Sequence, residues 1–194
     1  MKIGVGIVLK TFFPKKRKIA VLDKEAGMIE YIPDTENICQ GALIHYYITE
    51  GKNSFIRGIE NVGMPLALAK QDLLFFHHVL EMCYFFMPVG VSNPDIFALV
   101  EFLYTLDSSR LSPSIKKIFM MKLFAMFGVY PEHKRFHTAY YYQLAALPTS
   151  TLLEQELDAQ AHTDMDEWLQ LCVASHPYNE QFKTVHFLDE GRSA

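Results

Sequence analysis

The sequence predicts an α+β fold, in which a five-stranded barrel is followed by an all-helical domain. Two observations lead to this prediction. Up to residue 64, apolar residues alternate with small or polar ones in short runs between turn residues, as β-strands require. After Pro65 the apolar period changes to about 3.6 residues, and the turn signals become helix starts and stops. We therefore expect one domain over residues 1–64 and a helical domain over residues 65–194.

The strands of the first domain follow each other closely. Residues 3–9 alternate, and the small Gly4 and Gly6 would let this strand coil as a closed barrel requires. Further strands are expected at residues 18–23, 27–32, 42–49 and 53–60, separated by turn-rich segments at 23–27, 34–37 and 51–53. Five short strands in so short a segment are typical of the OB fold.

Capping signals and apolar periods predict the helices. Residues 71–86 are apolar almost all round, which is typical of a helix surrounded by others. Asn93 and Ser112 each stand before a proline, a combination that favours a helix start, and the second helix should end at Gly128. Later helices are expected at residues 138–146, 151–161 and 164–175, the last with Thr163 as N-cap.

Composition excludes several classes of protein. A hydrophobic fraction of 50% with 21% charged residues excludes disordered and low-complexity chains. The longest charge-free apolar run, residues 82–91, is about half of the roughly 20 residues that a membrane-spanning helix needs. The amino terminus lacks the cleavage site of a signal peptide. Three scattered cysteines predict neither a disulfide framework nor a zinc site, so a cytoplasmic location is expected.

Charge is unevenly distributed along the chain. Residues 1–64 hold nine Lys and Arg against seven Asp and Glu, a net charge of +2, whereas the remainder carries −6. The candidate phosphate-binding residues flank the turn between the first two strands: Lys10, Lys15, Lys16, Arg17 and Lys18. In OB barrels the groove beside this loop commonly binds a nucleic-acid backbone, while aromatic rings stack on bases. The stacking candidates are Phe12, Phe13, Tyr31, Tyr46, Tyr47 and Phe55. The alternative is a solvated basic turn with these aromatic rings in the core.

Catalytic and metal-binding patterns are sparse. His133 and His137 stand four residues apart, which on a helix would place two imidazoles on one face as metal ligands require. No third ligand is near in the sequence, so a small metalloenzyme is kept only as an alternative to structural histidines. The nucleophile elbow, the P-loop and the dinucleotide-binding pattern are all missing from the sequence. We expect a non-enzymatic protein with no catalytic residue, no metal and no cofactor.

Four stretches in a fixed order carry a resemblance to a known family. They are "GIVLKT" at residues 6–11, "DLLFFHHVLEMCYFFMPVGVSNPDIFALVEFLYTL" at 72–106, "KLFAMFGVYPE" at 122–132 and "FKTVHFL" at 182–188. Along nearly its whole length the chain resembles RecO, the bacterial recombination mediator and DNA repair family. The similarity lies in the pattern of apolar positions along these stretches.

The resemblance implies a nucleoid-associated protein with an N-terminal OB domain and a helical C-terminal domain. Such a protein binds single- and double-stranded DNA, promotes strand annealing and helps to load the RecA recombinase on coated single strands. Its implied partners are a RecR-like protein and the acidic C-terminal tail of single-stranded DNA-binding protein. The five basic residues at the first turn would then face DNA. An acidic tail needs a basic edge on the helical half, and the grouped candidates there are Arg110, Lys116, Lys117 and Lys122.

Two departures from the family pattern qualify these expectations. Many members carry a basic loop after the third strand, where this chain has the acidic residues Asp34 and Glu36. Many also carry a four-cysteine zinc site, where this chain has Phe136 and Ala139. We expect weaker DNA binding, no structural zinc and a greater dependence on protein partners. The alternative function is a protein-interaction module that keeps the OB plus helical fold without binding DNA.

Overall fold

A computed structural model describes residues 2–49 and 55–183 of the chain. The strands are β1 (Lys2–Thr11), β2 (Ile19–Asp23), β3 (Gly27–Pro33), β4 (Leu43–Thr49) and β5 (Phe55–Gly63). The α-helices are α1 (Leu66–Gln71), α2 (Leu73–Phe86), α3 (Pro94–Thr105), α4 (Pro113–Met126), α5 (Ala139–Ala146) and α6 (Ala159–Ala174). Short 3₁₀ turns occur at Ser108–Arg110, Lys134–Phe136, Thr149–Glu154 and Asn179–Gln181. The α+β class is confirmed, with a five-stranded sheet ahead of a helical region.

Two sequence features lie wholly or mostly outside the described residues. They are the turn expected at residues 51–53 and most of the "FKTVHFL" segment, from residue 184 onward. Among the described residues, no helix has both the length and the apolar character needed to cross a membrane.

Each strand of the sheet pairs with two others. β1 lies antiparallel to both β2 and β4, β2 to β3, and β4 to β5. A short parallel pairing joins β3 to β5, at Ile32 with Phe55 and Pro33 with Ile56. The strand order is therefore β1-β2-β3-β5-β4, with β4 returning to β1.

The chain divides into two compact units, the first ending at Thr105 and the second beginning at Leu106. The change from strands to helices follows Gly63, close to the boundary expected at residue 64. The first unit nevertheless extends beyond that point, because α2 packs against β1 and β2. The sheet and α1 to α3 thus form one unit, and α4 to α6 belong to the other.

Both faces of β2 are buried, and so are both faces of β1 from Gly6 to Leu9. Inward residues such as Val8 and Val21 join the core cluster of the sheet. Outward residues are also covered, since Leu9 is 1% and Leu22 0% exposed. Helix α2 packs against both strands, and its own apolar side chains are largely buried: Phe75, Phe76, Val79, Leu80, Met82 and Cys83. Burying large apolar side chains on both faces contributes about 1.5–3 kcal/mol each to folding.

A buried polar contact joins β2 to β4. The Tyr46 hydroxyl donates to a carboxylate oxygen of Asp23, which is 5% exposed. The other carboxylate oxygen accepts from the backbone N–H groups of Glu25 and Ala26, at 2.8 and 2.7 Å. Burial, with the neighbouring Asp23 carboxylate, raises the pKa of Tyr46 above its usual value. Because both oxygens of the Asp23 carboxylate accept hydrogen bonds, this group can be buried at the end of β2.

Helix starts follow local capping chemistry. Asn93 Oδ1 accepts from the Ile96 N–H at 3.2 Å, and Ser112 Oγ accepts from the Ile115 N–H at 3.3 Å, as expected for caps. Of the two helices expected at residues 151–161 and 164–175, the first is wrong, whereas the second is confirmed as α6 but begins earlier than expected. The first becomes a 3₁₀ turn, and α6 begins at Ala159 because Asp158 caps it, accepting from Ala161 N–H at 2.8 Å. Thr163 lies inside α6, where its hydroxyl donates to the Ala159 carbonyl.

Candidate nucleic-acid interface

The connection between β1 and β2, residues 12–18, is called the basic turn. It is closed by its own backbone, since Phe12 N–H donates to the Lys18 carbonyl at 3.1 Å and Lys16 N–H to the Phe12 carbonyl at 3.0 Å. Lys15 and Lys16 are exposed at its tip. Neither side chain forms an ion pair with a residue that the structure describes. These two ammonium groups are therefore presented to solvent.

The other three predicted DNA-facing residues contact the protein itself. Arg17 Nε donates to the Pro33 carbonyl at 3.1 Å and Nη2 to the Asp34 carbonyl at 2.7 Å. Lys18 forms an ion pair with Glu30. The Lys10 ammonium lies 4.3 Å from the centre of the Tyr84 ring, a cation–π distance. The structure thus brings all five basic residues to one end of the sheet.

The aromatic candidates separate into two groups by burial. Tyr31 and Tyr46 are 2% and 1% exposed and lie inside the sheet core, where they cannot stack on a base. Phe13 packs against the same core, and Phe12 contacts Tyr84 edge-on at 6.2 Å. Tyr47 and Phe55, by contrast, are 39% and 40% exposed. Only these two of the six candidates present a substantial part of the ring to solvent.

Asp34 has a structural role at the position where the family pattern expects a basic loop. Its backbone N–H donates to the Ile56 carbonyl at 3.2 Å, and its carboxylate accepts from the Gly58 N–H at 3.0 Å. Its carbonyl accepts from Arg17. Asp34 therefore links the end of β3, the basic turn and β5.

The outer face of β4 and β5 contributes a basic residue that the sequence analysis missed. Arg57 is exposed on β5, directly opposite Tyr47 on β4. The sequence does contain a signal for Arg57. Strand residues alternate between the two faces of a sheet, and Arg57 stands two residues after Phe55, so the two share a face. We call Tyr47, Phe55 and Arg57 the aromatic face.

The four predicted partner-binding residues do not form one exposed edge. Lys122 is only 6% exposed, and its ammonium donates to the carbonyls of Ala145 and Leu147 at 3.1 and 2.6 Å. It satisfies carbonyls at the end of α5 and is not accessible to a partner. Lys117 forms an ion pair with Asp166 at 2.7 Å. Lys116 is half-buried, and Arg110 is exposed.

The two histidines considered as metal ligands do not share a helix face, because the segment between them is a 3₁₀ turn. His137 lies with Nδ1 2.8 Å from the Tyr142 hydroxyl and Nε2 2.9 Å from the Pro131 carbonyl. His133 Nδ1 accepts from the Arg135 N–H. Phe136, where the family pattern has a cysteine, is fully buried. Within residues 2–49 and 55–183, no cluster of three or more metal-ligating side chains is found.

Comparison with known proteins adds no assignment to this geometry. No family model matches the chain. No curated protein matches it either.

Proposed function

We propose that the protein is a non-enzymatic mediator of DNA repair and recombination that binds single-stranded DNA through its first unit. The supporting observation is the basic turn, which presents Lys15 and Lys16 to solvent with no ion pair to a described residue. The proposal includes an OB-type barrel for the sheet. The strand order β1-β2-β3-β5-β4, with β4 pairing back to β1, supports that assignment.

The proposed mechanism is electrostatic. Ammonium groups on the basic turn neutralise phosphates, which lowers the repulsion between two strands and lets complementary bases pair. No bond-making residue is required for annealing. Contacts to phosphates carry little sequence information, so sequence preference is slight. In the family that the chain resembles, such a protein helps to load a recombinase on coated single strands.

Protein partners form a second part of the proposal. A RecR-like protein and the acidic tail of single-stranded DNA-binding protein are the partners that the resemblance implies. For the acidic tail, Arg110 is the most accessible of the predicted cations, with the half-buried Lys116 nearby in sequence. Lys117 and Lys122 act within the fold, so the proposed tail site is smaller than the sequence suggests.

One observation favours the alternative function, a protein-interaction module that does not bind DNA. Arg17 and Lys18 are occupied by groups of the protein, and Lys10 packs over aromatic rings. Two exposed lysines make a small phosphate-contact set, because affinity for a nucleic-acid backbone grows with the number of phosphates neutralised. Titration with a labelled single-stranded oligonucleotide distinguishes the two functions.

The double substitution Lys15→Ala and Lys16→Ala is expected to weaken binding of single-stranded DNA roughly tenfold at low salt. The measurement is fluorescence anisotropy of a labelled oligo(dT), titrated at several salt concentrations. Each lost phosphate contact should reduce the slope of log affinity against log salt by about 0.7 for a single strand. The matched control is the double substitution Lys70→Ala and Lys134→Ala. Both lysines are exposed and lie outside the basic turn, and replacing them removes the same amount of charge. Wild-type protein that binds no oligonucleotide at low salt would support the interaction module instead.

The acidic loop offers a second prediction about DNA binding. Glu36→Lys is expected to strengthen binding of oligo(dT) several-fold at low salt, because Glu36 is exposed and the change adds two positive charges. Asp34→Lys adds the same charge but removes the acceptor of the Gly58 N–H, at a cost of about 1 kcal/mol in stability. Anisotropy and thermal unfolding of both variants separate the effects. Unchanged affinity in Glu36→Lys would show that the acidic loop does not limit DNA binding.

A further inference from the structure

The outer surface of the sheet is covered on one side and open on another. Over β2 and the middle of β1, from Gly6 to Leu9, the outward residues are buried and α2 packs against the strands, so no base can reach them. On β4 and β5 the outward residues remain accessible, with Tyr47 39% and Phe55 40% exposed. Neighbouring Ile3 on β1, opposite Tyr47, is 62% exposed. Exposed apolar side chains that share one sheet face are a common sign of a binding surface.

The register places the aromatic face on one side of the sheet. Tyr46 and Ile56 are 1% and 0% exposed and point into the core, so their neighbours Tyr47, Phe55 and Arg57 point outward. Tyr47 is the direct cross-strand partner of Arg57. In antiparallel sheets direct partners have Cβ atoms about 5 Å apart, and diagonal neighbours such as Tyr47 and Phe55 about 7–8 Å. Neighbouring bases of an extended strand can bridge such a spacing.

A bulge in β5 positions the Tyr47 ring. His45 pairs with Glu60 and Tyr47 with Arg57, so β5 holds one residue more than β4 between these pairs. Gly58 lies in this bulge with a φ of +57°, a conformation that favours glycine. A Cβ atom at Gly58 would come within 2.9 Å of Tyr47 Cδ2. The ring therefore rests against the backbone of Gly58, while the rest of the ring is open to solvent.

The aromatic face also carries a positive charge and is linked to the basic turn. The Arg57 guanidinium is exposed and forms no ion pair with the described residues. Asp34 accepts from Gly58, the residue after Arg57, and from Arg17 of the basic turn. Asp34 thus connects the basic turn to the part of β5 that carries Arg57. A single-stranded DNA bound at Lys15 and Lys16 would continue towards Arg57.

We infer that the aromatic face is the base-stacking surface for single-stranded DNA, with Tyr47 and Phe55 stacking on bases and Arg57 contacting the phosphate or a base face. This inference rests on the proposed function. An apolar protein surface is a poorer occupant, because it would bury the Arg57 charge without a counter-charge. A nucleic acid supplies phosphates for the cation and flat rings for the tyrosine and phenylalanine. Double-stranded DNA keeps its bases stacked, so this surface favours single strands.

Two ligands of equal charge test the inference. Oligo(dT) and an abasic oligonucleotide of the same length share their phosphates, but only the first has bases. Tyr47→Ala and Phe55→Ala are each expected to weaken oligo(dT) binding about 5- to 150-fold, the range measured for one base–aromatic stack. Binding of the abasic strand and the salt slope should remain unchanged. Tyr47→Phe should restore binding, whereas Tyr47→Leu, which has apolar bulk but no ring, should not.

Controls separate a failure of this inference from a failure of the proposed function. Tyr178→Ala removes an exposed ring in the second unit, where Tyr178 is 57% exposed, and should leave oligo(dT) affinity unchanged. Thermal unfolding of each variant shows whether the fold is retained. If Tyr47→Ala and Phe55→Ala both bind oligo(dT) as tightly as wild type does, the inference is overturned. The aromatic face would then be a candidate surface for binding a protein partner. If wild type binds neither oligonucleotide, the proposed function itself fails.

Discussion

Phe124→Ala is expected to lower the free energy of unfolding of the second unit by about 3–5 kcal/mol. Phe124 is 0% exposed on α4, and its ring contacts Trp168 of α6 edge-on at 6.1 Å. Helix α4 packs against α6, so the cavity left by the ring would lie between these two helices. Such a site collapses poorly, and the lost contacts would not be replaced.

Tryptophan fluorescence during urea unfolding measures this effect, since Trp168 is the only tryptophan in the chain. Tyr178→Ala is the control, because Tyr178 is 57% exposed and its removal should change the midpoint little. An unfolding free energy of Phe124→Ala within about 1 kcal/mol of wild type would show that α4 and α6 are not packed as described.

Acid is expected to destabilise the first unit through His78. This residue is 0% exposed on α2, and burial lowers the pKa of its imidazole to about 4, from 6.5, although Glu81 opposes the shift. As the pH falls below 6.5 the unfolded chain takes up this proton before the folded chain does, so stability is lost. The loss is complete below about pH 4 and amounts to about 3 kcal/mol.

Unfolding of wild type and of His78→Leu by urea at pH 8, 6, 5 and 4 measures this contribution. Both states hold a neutral histidine at pH 8, so the difference there gives the packing cost of the substitution alone. The difference between the two proteins should shift by about 3 kcal/mol in favour of the variant on going to low pH. Parallel pH profiles would show that His78 is accessible to protons in the folded chain.

Local chemistry explains why much of the secondary structure was predictable. Side-chain caps such as Asn93 and Ser112 act on backbone groups three residues away, so a short sequence window contains the whole interaction. The start of α6 was misplaced for a related reason. Asp158 and Thr163 both suit an N-cap, and sequence alone does not show which of them lies at the end of the helix.

The candidate interface was predictable only in part. The cluster of basic residues at the β1–β2 turn is visible in the sequence, but the partners of Arg17 and Lys18 are not. Those partners, Pro33, Asp34 and Glu30, come from β3 or the loop after it, and the sheet register brings them to the turn. Lys122 is a second example. The carbonyls that accept from its buried ammonium group belong to Ala145 and Leu147, which are too distant in the sequence for their contact to be predicted.

The sequence by itself determined the α+β class, the order of the five strands, the helices α2 to α5 and the basic turn, because each depends on periodicity, capping or charge between near neighbours. Tertiary structure alone decided which lysines and aromatic rings remain exposed. Tyr46 and Tyr47 are adjacent in sequence, yet one is buried against Asp23 and the other lies open beside Arg57. The physical reason is that successive strand residues face opposite sides, and only the folded chain determines which side is covered.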